Sequence, residues 1–125
     1  LFISIKGRWI FKKEMIKEFF KFNLINYHPS RLPLYAGGAS DSWRIMKEDR
    51  IDCRIFHLVN ETIDGGPIII YEKSVLPREC GLPIDFLNFS NKKIITLYKN
   101  FIKLLNSPSF IMTISSKSLP TAHTI

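Results

Sequence analysis

The chain has 125 residues, 46% of them hydrophobic and 23% charged, a length that suits one domain or part of one and can bury a real core. No apolar run approaches the ~20 residues of a membrane helix, and Lys6 and Arg8 follow the apolar Leu1–Ile5, the reverse of a secretory signal. The net charge of +7 fits an anionic partner such as a nucleic acid, a nucleotide or a phosphate, and fits equally a solvated Lys-rich surface.

Leu1 to Ile5 reads as a buried strand. Lys12 to Phe22 reads as a helix, with Met15, Ile16, Phe19 and Phe20 on one stripe and Lys13, Glu14, Lys17 and Lys21 around the rest. Asn23 to His28 is extended; Pro29 stops it and keeps His28 out of the helical region. A loop runs through Pro33 and Gly37-Gly38, after which Ser40 or Asp41 caps a helix carrying Trp43, Ile45 and Met46. Asp52 to Val59 and Pro67 to Val75 read as strands joined by Asn60 to Gly66, whose glycine pair allows backbone angles closed to other residues. The longest helix runs from Ser90 to Asn106, with Ile94, Ile95, Tyr98, Phe101, Ile102 and Leu105 inward; Phe110 to Ile114 reads as one more strand. This alternation predicts an α/β layer fold. The opening strand has no partner before it, so the pattern predicts half of a doubly wound fold. Residues 1–106 form that half, and 107–125 a connector cut short. Cys53 and Cys80 lie far apart with no metal spacing and read as thiols in a reducing, cytoplasmic setting.

Asn26 and His28 are two apart on an extended segment, so they point to one side and Tyr27 to the other. An amide donor beside an imidazole suits stabilisation of a developing oxyanion. Asp64, before Gly65-Gly66-Pro67, is ordinary turn chemistry on its own. Held near His28, its carboxylate would favour the imidazolium and raise the histidine pKa, tuning it for proton transfer.

Asn26-Tyr27-His28-Pro29-Ser30-Arg31-Leu32-Pro33-Leu34-Tyr35 resembles the Asn-x-His-Pro-Ser-x-Leu-Pro-x-Tyr segment of folate-dependent formyltransferases. Downstream, His57-Leu58-Val59 and Ile63-Asp64-Gly65-Gly66-Pro67-Ile68-Ile69 resemble that family's second motif. The ordered pair is far more specific than either motif alone. The resemblance implies a Rossmann-like formyltransferase domain, of which this chain would be the C-terminal half only. It also implies 10-formyltetrahydrofolate as formyl donor, Asn26, His28 and Asp64 as catalytic residues, and a cis Leu32-Pro33 bond. In the implied mechanism an amine attacks the formyl carbon, Asn26 and protonated His28 hold the oxyanion, and Asp64 keeps His28 charged and oriented. The pterin would lie against the main chain of Arg8, Trp9, Ile10 and Phe11 and of Glu61, Thr62, Ile63 and Asp64. His57 matches a family position on the strand into the Asp64 loop and reads as structural.

Many members have Arg-Gly after the motif's tyrosine, whereas Tyr35 is followed by Ala36-Gly37-Gly38. That departure favours an amino sugar, as a nucleotide-sugar, or another small-molecule amine over tRNA as acceptor. The fragment by itself is expected to be inactive. The rivals are a formyltetrahydrofolate hydrolase with water as nucleophile, a methionyl-tRNA formyltransferase, and a non-catalytic fragment or basic nucleic-acid-binding module.

Overall fold

The structure, a computed structural model, describes residues 1–5, 7, 9–108 and 110. Four strands form one sheet in chain order: β1 (Phe2–Ser4), β2 (Leu24–His28), β3 (Ile51–Leu58) and β4 (Ile68–Val75). β1 and β2 run parallel, while the β2–β3 and β3–β4 pairs are antiparallel. The expected α/β class holds, with a mixed sheet. The parallel pair is joined by a crossover that carries a π-helical segment, Met15–Phe19.

The helix α2 (Pro83–Leu105) covers one face of the sheet. It begins seven residues before the predicted start. Pro83 occupies the first turn without loss of a hydrogen bond, and the Asp85 carboxylate accepts from the Gly81 and Leu82 amides at 3.0 and 2.9 Å. Leu97 and Phe101 lock against Ile25, Tyr27 and Phe56, with the Phe56 and Phe101 rings stacked at 4.4 Å. The expected stripe was partly out of phase: Ile95 and Ile102 are exposed, and Phe86 and Ser90 are buried in their stead. Pro108 and Phe110 are helical, Phe110 packs in this same core, and residues 111–114 of the predicted last strand lie outside the described residues.

Two other helical expectations are corrected. Only Ile16 of the first stripe is buried; Phe19 and Phe20 instead cluster with Phe2 at the sheet edge. The helix α1 (Ser40–Met46) is entered through Ala39 in the left-handed conformation, with no side-chain cap. It turns Ser40 and Arg44 inward and leaves Trp43 and Met46 exposed. The reason is the buried Asp52, which draws Arg44 inward to pair at 3.5 Å. Among the described residues, no helix is long and apolar enough to cross a membrane.

Candidate active site

β2 turns Asn26 and His28 to one side and Tyr27 to the other, where it joins the core against α2, as strand alternation predicts. The pairing sets Asn26 opposite His57 and His28 opposite Ile55. Directly beside His57 the β3–β4 register slips by one residue, between Phe56 and His57. Such a bulge re-aims side chains next to a site. After His28 the chain turns through the cis Leu32-Pro33 bond, as the family resemblance implied. Tyr35 then returns its carbonyl to His28 Nε2 at 2.7 Å. The Tyr35 hydroxyl is itself held by Asp49 at 2.7 Å, and Asp49 also pairs with Arg31.

Asp64 arrives from the β3–β4 connection in a left-handed conformation, φ 50°. The glycines after it are needed for space, not for unusual angles, which corrects the sequence reading. A Cβ on Gly66 would collide with the Leu58 carbonyl, and one on Gly65 with the Thr62 side chain. The Asp64 carboxylate accepts from the Gly37 amide at 2.8 Å and lies 3.4 Å from both His28 Nδ1 and His57 Nε2. His57 Nδ1 lies 2.9 Å from the Leu58 carbonyl, and Asn26 Nδ2 lies 3.4 Å from His57 Nε2.

The electrostatics differ from the expectation at one point. His28 is nearly fully buried, and that desolvation pulls its pKa below the ordinary 6.5, outweighing the opposing pull of Asp64 and the Tyr35 carbonyl. Asp64 therefore does not keep His28 charged at rest. For Asp64 itself burial pushes upward, but the adjacent His57 and His28 rings and the Gly37 amide prevail, so its pKa is lowered. The resting site thus pairs an ionised carboxylate with a neutral His28.

All three residues line one cavity of about 710 Å³, together with His57. Trp9, Ile10, Phe11, Glu61, Thr62 and Ile63 line the same cavity, so the two separately predicted loops converge. Arg8 lies outside the described residues. Trp9 and Ile10 are 74% and 73% exposed, which removes core packing as their explanation; Phe11 packs edge-on against Phe20 at 5.7 Å. The sequence reading missed the part of the wall formed by Leu87, Ser90 and Asn91 of α2. It also undervalued His57, whose signal was its register opposite Asn26.

Residues 8–79 match the family model of the amino-terminal formyl transferase domain, described as formyl transferase. The chain belongs to the formyl transferase family. It is 34% identical over 104 residues to a methionyl-tRNA formyltransferase of Prochlorococcus marinus strain AS9601, covering 82% of this chain and 30% of that protein. A second, from strain MIT 9312, is 32% identical over 111 residues, covering 89% and 30%. The chain thus spans under a third of the length of the curated relatives it matches. Among solved structures, a phosphoribosylglycinamide formyltransferase from Bacillus halodurans superposes with a TM-score of 0.75 at 20% identity, over 86% of this chain and 54% of that one. The formyltransferase PseJ from Anoxybacillus kamchatkensis gives 0.70 at 24%, over 83% and 53%. A formyltetrahydrofolate deformylase from Pseudomonas syringae pv. tomato gives 0.63 at 20%, over 72% and 30%. These structures share the fold.

The family match corrects one expectation. The α/β formyltransferase fold stands, but the assignment to a C-terminal half does not, because the matched model is the amino-terminal domain and runs through β2, β3 and β4. That assignment rested on the lack of a strand before Leu1. The absence of a neighbour carries no information about which end of a family domain is present, whereas a residue-by-residue match does.

Proposed function

We propose that this chain carries the catalytic residues for formyl transfer from 10-formyltetrahydrofolate to a primary amine. The supporting observation is the convergence of an amide donor, an imidazole and a carboxylate on one cavity, in a chain of the formyl transferase family. A cavity of this size suits a small-molecule ligand. Trp9–Phe11 and Glu61–Asp64 line it and offer apolar walls and main-chain edges of the kind a flat, hydrogen-bonding pterin needs. PseJ, which shares the fold, is described in complex with tetrahydrofolate and a UDP-linked formamido sugar. Cys53 and Cys80 are free thiols, in keeping with a reducing cytoplasmic setting.

In this reading the amine nitrogen attacks the formyl carbon and the carbonyl π pair moves onto oxygen. The Asn26 amide donates to that oxygen. His28 Nδ1, once protonated, becomes a second donor, because its 3.4 Å contact with Asp64 exceeds a good hydrogen-bond length and can open. The proton lost by the amine is taken up at Asp64 and His28 and passes to the departing nitrogen as the C–N bond breaks.

We favour an amino sugar or another small-molecule amine as acceptor. Ala36-Gly37-Gly38 stands where many members carry Arg-Gly, and the PseJ complex holds a formamido sugar nucleotide. The identity to two methionyl-tRNA formyltransferases supports an aminoacyl-tRNA as the second reading. The test is release of tetrahydrofolate from 10-formyltetrahydrofolate by the protein as its own cell makes it. The arms contain no amine, nucleotide amino sugars, glycinamide ribonucleotide, or methionyl-tRNA. Amine-dependent release supports transfer and identifies the acceptor class. Release without amine assigns hydrolysis, and no release in any arm sinks the reading.

A further inference from the structure

His57 was read from the sequence as structural support, yet its ring occupies a position equivalent to that of His28. Each imidazole has one nitrogen on a main-chain carbonyl: His28 Nε2 on Tyr35 and His57 Nδ1 on Leu58. Each turns its other nitrogen to a different oxygen of the same carboxylate, His28 to Asp64 Oδ2 and His57 to Asp64 Oδ1, both at 3.4 Å. Carbonyls only accept, so two neutral rings spend both of their N–H protons on Tyr35 and Leu58. That leaves two bare ring nitrogens facing one carboxylate. A third proton relieves one of these contacts and leaves the other unrelieved, whichever ring receives it.

We infer that His57 is a positioning residue that acts through Asp64, sharing one mobile proton with His28 across that carboxylate. The inference rests on the formyl-transfer reading and extends it to the proton's path. Asn26 supplies the coupling. At rest its amide Nδ2 lies 3.4 Å from His57 Nε2, a donor facing the ring nitrogen's lone pair. When that N–H turns to the developing oxyanion, His57 Nε2 loses that donor and faces Asp64 alone. One proton leaves the amine as its nitrogen bonds to the formyl carbon, resides on the two-histidine cluster, and returns to the leaving nitrogen as the C–N bond breaks. The cluster ends as it began.

The neighbouring elements add no competing charge to this count. β4 presents Ile68 opposite His57, Tyr27 faces the helix-side core, and Glu61 on the cavity rim is paired with Lys13 at 3.2 Å. Burial of both rings keeps the interaction from being screened by solvent.

Histidine ring NMR on the ligand-free protein tests this without relying on turnover. In the unmodified protein, the His28 curve is expected to show two steps, as coupled sites do when they interact by about one pH unit or more. His57→Gln should convert His28 to a single step and raise its midpoint. Asp64→Asn, which keeps both rings and the shape of the site, should turn the His28 curve into a single step and remains informative if His57→Gln fails to fold. A simple one-proton His28 curve in the unmodified protein would overturn the inference. So would a His28 curve unchanged in His57→Gln or, should that variant not fold, in Asp64→Asn. If the two-step His28 curve is seen but no amine is formylated, the proton sharing stands and the transferase reading fails. Where transfer is active, His57→Gln should move the acid limb of the kcat/KM profile and leave KM for the folate little changed. A purely structural histidine would lower activity equally at every pH.

Discussion

Strand β3 buries ionisable side chains on both of its faces, and the two faces treat them differently. On the helix side, Asp52 pairs with Arg54 and Arg44, and Arg44 also reaches Asp41 at 3.2 Å and the Ile51 carbonyl at 2.9 Å. Positive groups outnumber the innermost carboxylate, but guanidinium does not titrate near neutrality, so this network is fixed in charge. On the site side, one carboxylate serves two imidazoles, and its charge state changes with a single proton. The same strand therefore carries a static ion network against the core and a titratable one against the cavity. The difference lies chiefly in residue type, since Arg44, Asp52, Arg54, His28 and His57 are all almost fully excluded from water.

The largest effect is expected on the static side. Asp52→Ala would leave two buried guanidiniums without their shared carboxylate, at a cost of about 3–5 kcal/mol. Urea denaturation measures it, and a loss below about 1 kcal/mol would show that the helix-side network is not what holds β3 against α2. On the site side, His28→Ala should leave the melting transition close to that of the parent. It should lower kcat/KM about 10²- to 10⁴-fold, the usual contribution of a positioned proton-transfer group. If the variant instead unfolds with activity per folded molecule intact, the two faces do not differ in the way described.

A sharper test lies where the faces meet the turn. Gly66→Ala would drive a methyl group into the Leu58 carbonyl, the same oxygen that accepts from His57. A destabilisation of about 1–3 kcal/mol is expected, together with an altered His57 ring signal. A stability loss with the ring signal unchanged would separate the turn from the site.

The subtlest expected signal is in pH. The folded-state pKa of His28 lies below its ordinary 6.5, so the unfolded chain binds that proton more readily, and stability falls as pH drops below 6.5. Asp64 has a folded-state pKa below its ordinary 3.8, so its contribution is present above 3.8 and is lost as pH falls further. Two acid-side losses should appear in denaturation midpoints measured across pH. His28→Gln should remove the upper one only; persistence of the upper loss in that variant would assign it elsewhere.

Much of the site was legible in the chain because strand alternation and fixed turn chemistry act over a few residues. Asn26 and His28 had to share a face, Pro29 had to end the strand, and Asp64 had to sit at a turn. The helix stripes were less legible. Apolar periodicity alone does not fix the phase when a buried partner such as Asp52 draws Arg44 inward, or when Pro83 and Asp85 start a helix ahead of its apolar run. By itself the sequence determined the motifs, the strand-and-helix alternation and which residues could do acid–base work. Only the tertiary structure decided that Leu87, Ser90 and Asn91 of α2 complete the cavity wall, that burial outweighs Asp64 in setting the charge of His28, and that His57 shares the same carboxylate. Those outcomes depend on distances between residues tens of positions apart and on exclusion of water, and neither is encoded in local pattern.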